Sequence, residues 1–150
     1  IDRINFVIVG NIPFFFRDIA HKIINIQPIN ILEYPILINS LNADFIIAPL
    51  KENVFNKCKS NLKYLESCAV GSVMIGSTFA DSPYNCIDER CKIHKTMTAK
   101  NIESAFWKLC KKDTYNEILE SQYNYMNENG WLENNINKYT NLFNEKIVGI

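Results

Sequence analysis

The chain carries no surplus of either charge. Sixteen basic and sixteen acidic side chains cancel over 150 residues, so no global field draws it to nucleic acid or to an anionic membrane. It also lacks an apolar run approaching the roughly eighteen residues of a spanning helix, and it lacks a basic-then-apolar leader. Both absences lead us to expect a soluble domain that is not exported. No internal repeat, low-complexity tract or Gly/Ser linker interrupts it, so a single domain over 1–150 is expected. Histidine is scarce, with two residues only. His21 stands among Ile19, Ile23 and Ile24, which suits a helix border better than a catalytic base.

Five cysteines, Cys58, Cys68, Cys86, Cys91 and Cys110, form an odd set in a chain large enough to fold without staples. Free thiols in a reducing cytoplasm are the simplest account. Cys86, Cys91 and His94 have zinc-ligand chemistry, but their spacing is loose and no fourth ligand follows, so no metal site is expected. The apolar content of 47% is enough for a real core. The chain opens at Ile1 directly before a strand pattern, as a segment of something longer would.

The stretch from Asp44 to Ser77 organises the rest. Phe45 to Pro49 and Val73 to Gly76 are continuous apolar runs of strand length, and a helix pattern opening near Ser60 lies between them. This is a βαβ unit, which belongs to a parallel sheet covered on both faces. Ligands in such sheets sit where a strand ends and the next helix begins. Ser60 or Asn61 can act as N-cap, yet Lys63 stands where a capping box needs a carboxylate. Lys57, Lys59 and Lys63 also crowd the positive end of the helix dipole, where cations are unfavourable unless an anion joins them. Free N–H groups, dipole and lysines together suit a phosphate, whereas a merely solvated basic loop is the plainer alternative. At roughly 100° per residue, Leu62, Leu65 and Ala69 share the face expected inside. Glu66 then projects at its border, able to accept two hydrogen bonds from vicinal sugar hydroxyls or to pair with Lys63 or Lys59.

The remaining elements follow in order. Ile4 to Gly10 is expected as the first strand, its Gly10-Asn11 end on the same sheet edge as the anion site. Phe14, Phe15 and Phe16 are expected as packing aromatics, with an exposed aromatic loop facing a missing partner domain as the alternative; Phe16 to Asn25 is expected as a short helix, and Ile29 to Leu32 as a short strand. Pro35 opens a helix over Ile36 to Leu41. The loop Thr78 to Asn85 again leaves the carboxyl edge of a strand, which by topology points Asp81 and Tyr84 to the site, while Ser-Pro-Tyr equally suits a turn with a packing aromatic. Lys92 to His94 is a short edge strand. From Thr98 the pattern turns helical: Ile102, Ala105, Phe106, Leu109 and Cys110 follow one face. Asp113 caps a second helix with Tyr115, Ile118, Leu119, Gln122 and Met126 along its stripe, stopped at Asn129-Gly130. Trp131 to about Lys146 makes a third, with Leu132, Ile136, Tyr139 and Phe143 on one side.

The string APLKENVFNKCKSNLKYLESCAVGSVMIGS, from Ala48 to Ser77, together with Asp81-Ser82-Pro83-Tyr84, resembles the donor-binding half of GT-B glycosyltransferases. Group-1-like enzymes of bacterial surface-polysaccharide synthesis are the most similar. The resemblance covers about residues 4 to 110 and is dense from Ala48 to Tyr84. It implies an α/β fold, a Rossmann-like parallel sheet flanked by helices that makes half of a GT-B fold, with helices over about 98–146. It implies a nucleotide diphosphate-sugar as donor substrate, with no separate cofactor. Lys59, Ser60 and Asn61 would then meet the diphosphate, Glu66 the ribose, and Phe55, Asn56, Lys57 and Cys58 the transferred sugar. Leu32, Glu33 and Tyr34 would lie near the base.

Two departures stand out. Many relatives carry a Glu at the position of Cys58, and Gly71-Ser72-Val73 lacks the proline of their turn. The family's first βα unit and its acceptor domain have no counterpart in this chain, so the missing half would be supplied by the same parent or by a partner chain, and the catalytic residues remain unknown. The parent would work in the cytoplasm, associating peripherally with the inner face of the membrane, and would pass a sugar to a glycan or lipid-linked acceptor. The isolated chain would be inactive. A non-catalytic Rossmann-like binding or interaction subunit is the alternative.

Overall fold

The computed structural model describes residues 4–94, 98–131, 133 and 135–137. The chain divides into two compact units, Ile1–Ser40 and Leu41–Ile150. The architecture is mixed α/β, with parallel strands in two small sheets.

In the first unit, β1 (Phe6–Val9) pairs in parallel with β2 (Ile23–Ile26), Phe6 opposite Ile23 and Val9 opposite Ile26. A 3₁₀ segment, Phe14–Lys22, joins them, and α1 (Tyr34–Leu41) follows. The helix expected over Phe16 to Asn25 is therefore cut short. Ile23, Ile24 and Ile26 are β-branched and go to the strand, where their stiff side chains fit better than on a helix. Asn25 fixes the strand end by donating from Nδ2 to the carbonyls of Ile8 and Gly10, at 3.2 and 2.7 Å. Ile29 to Leu32, expected as a strand, is instead a turn. The Asn30 side chain accepts from the Leu32 and Glu33 N–H groups at 2.9 and 3.0 Å, a local bond that competes with strand pairing.

In the second unit, β3 (Phe45–Ala48), β4 (Val73–Thr78) and β5 (Lys92–His94) form a parallel sheet in the order β3-β4-β5. Between β3 and β4 lie a one-turn helix, α2 (Val54–Lys57), and α3 (Leu62–Val70); α4 (Ala99–Leu109) and α5 (Lys112–Asn129) follow β5. The expected βαβ unit is present, with Phe45 opposite Val73 and Ala48 opposite Gly76. Every residue of β4 is buried. Val73, Met74 and Ile75 pack into one core with Tyr64, Tyr84, Ile87, Cys91, Ile93, Leu109 and Ile118. At Gly76 a Cβ would stand 3.0 Å from Met74 Cε and 3.1 Å from Ile87 Cδ1, so the strand is closed over at its centre.

β5 pairs with β4 only from Gly76 onward. Ahead of that point α5 supplies the missing partner: Gln122 accepts from the Met74 N–H at 3.2 Å and donates to the Ser72 carbonyl at 2.8 Å. The same carbonyl accepts from the Ser67 hydroxyl, and Ser72 Oγ donates to the Ala43 carbonyl at 2.6 Å. Gly71 ends α3 in the left-handed region at φ 72°, as its residue type favours.

The face of α3 that is buried carries Tyr64 and Ser67. Leu62, expected inside, is 56% exposed. Tyr64 packs its ring on Tyr125 at 5.0 Å, and the small Ser67 lets the helix approach Ser72. Tertiary packing against α5 thus overrode the leucine pattern. α4 follows its expected face with Ala105 and Leu109 buried. For α5 the N-cap is Lys111, and Asp113 lies inside the first turn, where its charge complements the dipole. The third helix expected over Trp131 to Lys146 lies outside the described residues except at 131, 133 and 135–137. Among the described residues no helix is long and apolar enough to cross a membrane.

Gln122→Leu should lower stability by about 1–3 kcal/mol, because the Met74 N–H and Ser72 carbonyl lose a buried partner. Leu109→Ala should cost about 2–5 kcal/mol through the cavity left beside β4. Urea denaturation checks both. A midpoint unchanged in Gln122→Leu would show that the amide does not substitute for a strand.

Candidate functional site

The loops that leave β3 and β4 come together beside the start of α3. The first of them is more ordered than its polar composition suggests. Asn53 caps α2 by accepting from the Asn56 N–H at 2.8 Å, and buried Asn56 donates from Nδ2 to the Lys51 carbonyl at 2.7 Å. Asn56, expected near a transferred sugar, is therefore a loop tie. An Asn capping an N–H three residues on was a legible signal for this turn. Lys57 reaches Glu52 at 3.5 Å and Asp81 at 3.6 Å, which links the two loops. Phe55 is exposed, with the Lys59 ammonium 5.0 Å above its ring. Cys58 is an exposed free thiol.

α3 opens at Leu62 after Asn61, whose side chain caps no helical N–H. Its Nδ2 instead donates to the Tyr125 hydroxyl at 2.9 Å and stands 3.8 Å from Cys86 Sγ. Ser60 and Lys59 are exposed just ahead of this opening. No side chain caps the first turn, in which the Tyr64 N–H donates to the Asn61 carbonyl at 2.8 Å, and the positive end of the dipole opens beside Lys59 and Ser60. Lys63 lies one position into the helix and pairs with Glu66 at 2.8 Å. Glu66 is 21% exposed at its side chain. It does not border the Leu62, Leu65 and Ala69 face as a core edge, since that face is not the buried one. It lies instead by the loop after β4: Tyr84, itself buried, has its phenol pushed up by burial, an effect opposed by neighbouring Lys63 and reinforced by Glu66. Lys63, Glu66, Asp81 and Tyr84 thus belong to one edge of the second unit.

Leu32 and Glu33, exposed, and Tyr34 belong to the first unit, at its Asn30 turn and the start of α1. Along α5 a hollow of about 520 Å³ is lined by Glu117, Glu120, Tyr125 and Glu128 among others. Through Tyr125 it adjoins Asn61, and its carboxylates oppose an anion on that side.

The candidate zinc ligands do not converge. Cys91 is buried in the core, and both His94 nitrogens are occupied: Nδ1 stands 3.1 Å from Thr78 Oγ1 and Nε2 2.9 Å from Glu89 Oε1. Among the described residues no group of three or more His, Cys, Asp or Glu side chains is placed to hold a metal ion. Asp88 is held below the usual carboxylate range by the Arg90 guanidinium bonded to it. The Thr78, Glu89 and His94 chain was missed from sequence; the charged run Asp88-Glu89-Arg90 ahead of β5 was its only signal.

Compared with family models, with curated proteins and with solved structures, the chain matches none. A functional reading therefore rests on its residues and their placement.

Burial pushes the Cys68 and Cys91 thiols up to about 12, whereas Cys58, Cys86 and Cys110 are exposed, Cys110 with its thiol raised by burial and by Asp44. An aromatic disulfide reagent near pH 8 should label Cys58 and Cys86 quickly, Cys110 more slowly, and Cys68 and Cys91 only on unfolding. Fast labelling of all five would contradict the packing around α3 and β5.

Proposed function

We propose that this chain is the donor-binding half of a glycosyltransferase of the GT-B type, a Rossmann-like domain that holds a nucleotide diphosphate-sugar. The supporting observation is the start of α3: it follows β3 in a parallel βαβ unit, has no side-chain cap, and is flanked by Lys57, Lys59 and Lys63. Its likeness to that family lies in the Ala48 to Tyr84 string. In this reading the diphosphate rests on the amides of Asn61 and the residues after it, with Lys59 and Ser60 beside it. Glu66, one turn further on, exchanges its bond from Lys63 for the ribose hydroxyls, and Lys63 is released toward the phosphates. The developing charge on the leaving diphosphate is stabilised by these groups, which is where transfer chemistry gains most. Cys58 in place of a carboxylate leaves contact with the sugar to the Phe55 to Lys57 turn. Because Asn56 and Lys57 hold that turn, its backbone is the part offered to the sugar.

The acceptor is bound by a domain outside this chain, from the same parent or a partner, so the chain alone binds the nucleotide and transfers nothing. In this reading the parent works in the cytoplasm, at the inner face of the membrane where a lipid-linked acceptor would be met.

Calorimetry with UDP and GDP tests this. One of the two should bind, and Glu66→Ala should weaken it about tenfold or more through lost ribose hydrogen bonds. Binding of neither nucleotide, or binding indifferent to Glu66→Ala, would contradict the assignment.

A further inference from the structure

A second concave site lies in the second unit, on the far side of β5 from β3. It is a groove of about 550 Å³ between β5 with the short 3₁₀ turn before it, α4, and the start of α5. Its lining includes four permanent cations, Arg90, Lys92, Lys108 and Lys111, together with His94 and a single carboxylate, Glu89. The volume is that of a small-molecule site, and surfaces of this charge recruit anions.

The cations differ in what holds them. Arg90 is neutralised from outside the groove by Asp88 at 2.9 Å and Glu117 at 2.6 Å. Lys92, 16% exposed at its side chain, bonds Glu89 Oε2 at 2.9 Å, and His94 Nε2 meets Glu89 Oε1 at 2.9 Å. Among the described residues Lys108 and Lys111 form no ion pair. Lys108, in the last turn of α4, suits the negative end of that helix's dipole, whereas Lys111 is unfavourably placed for an empty groove. Lys111 is the N-cap of an eighteen-residue helix that opens without a side-chain cap, so its cation stands at the positive end of that dipole. Asn101, Ser104 and Thr114 add neutral hydrogen-bonding groups to the wall.

Glu89 is the informative residue. Its two oxygens are taken by a lysine and a histidine, as two oxygens of a phosphate would be, yet its side chain is 70% exposed on the open side of the groove. The His94 ring is oriented for this by Thr78, 3% exposed, whose Oγ1 meets Nδ1.

We propose that this groove binds a small, multiply charged anion of the phosphate class, and that Glu89 occupies the Lys92 and His94 positions when the anion is absent. Lys108 and Lys111 close over the remaining charge from α4 and the α5 start. The site is separate from the α3 opening.

The test is calorimetric titration of the 150-residue chain with inorganic pyrophosphate in 0.15 M salt, in which the groove substitutions separate this site from the α3 opening. Lys108→Ala combined with Lys111→Ala should weaken pyrophosphate at least tenfold. Lys100→Ala, which removes the same kind of charge from α4 outside the groove, should change it less than twofold. Glu89→Gln should tighten binding at least threefold by removing the competing carboxylate. All these side chains are surface-exposed, and circular dichroism checks that each variant folds. Pyrophosphate that fails to bind, that is indifferent to the Lys108 and Lys111 substitutions, or that responds equally to Lys100→Ala would overturn the groove. Unchanged affinity in Glu89→Gln would overturn its role as the resident anion.

Discussion

The second unit depends on the complete burial of one six-residue strand. β4 has β3 on one side, β5 on the other, α4 and α5 packed against it, and every one of its residues is buried. A strand buried this way must satisfy every backbone group, and β5 is too short to do it alone. The Gln122 amide closes the gap at Met74, and Ser72 is tied to α3, α5 and Ala43, two residues ahead of β3, by side-chain hydrogen bonds. Among the described residues no buried side-chain nitrogen or oxygen is left without a partner. The cost of burying so many polar groups is offset because each is bonded.

That constraint fixes where chemistry can occur. With β4 held at its entry by polar ties and at its middle by close packing around Gly76, the variable parts are the segments leaving its carboxyl end and that of β3. Both carry the chain's reactive groups: Lys57, Lys59, Lys63 and Glu66 after β3, Asp81 and Tyr84 after β4. The Lys57 to Asp81 contact and the Asn61 to Cys86 contact show the two loops meeting. Such placement follows the rule for parallel sheets, whose ligands lie at the carboxyl ends of strands. The groove between β5 and α4 uses the same sheet differently, drawing its charge from the edge strand and from the turn between two helices.

Continuous apolar runs made β3 and β4 legible in the sequence, because a fully buried parallel strand needs no alternation. Gly71 marked the end of α3, and the stripe Ile102, Ala105, Phe106, Leu109 and Cys110 marked the buried side of α4 except at Cys110, which is exposed. What was not legible came from tertiary choice or local side-chain bonds. Leu62 and Leu65 look more suited to a core than Tyr64 and Ser67, yet the rings of Tyr64 and Tyr125 and the Ser67 hydroxyl decided the rotation of α3. Asn30 turned an isoleucine-rich segment into a turn, and Asn53 with Asn56 made a helical turn of a segment read as open loop. In this asparagine-rich chain, side-chain capping competes repeatedly with the hydrophobic pattern. Of the candidate site, the lack of a capping carboxylate at the start of α3 and the position of Tyr84 after β4 were readable. The Thr78, Glu89 and His94 chain was not, since its members are brought together only by the register of β4 on β5.

The account stands on an anion seated at the opening of α3. Residue-by-residue amide NMR of the chain during a UDP titration addresses it most directly. It should move the resonances of Lys59 to Lys63 and of Glu66 more than those of β4 or α4. Resonances at Lys59 to Lys63 that stay fixed while UDP binds elsewhere, or that stay fixed at any concentration, would contradict it.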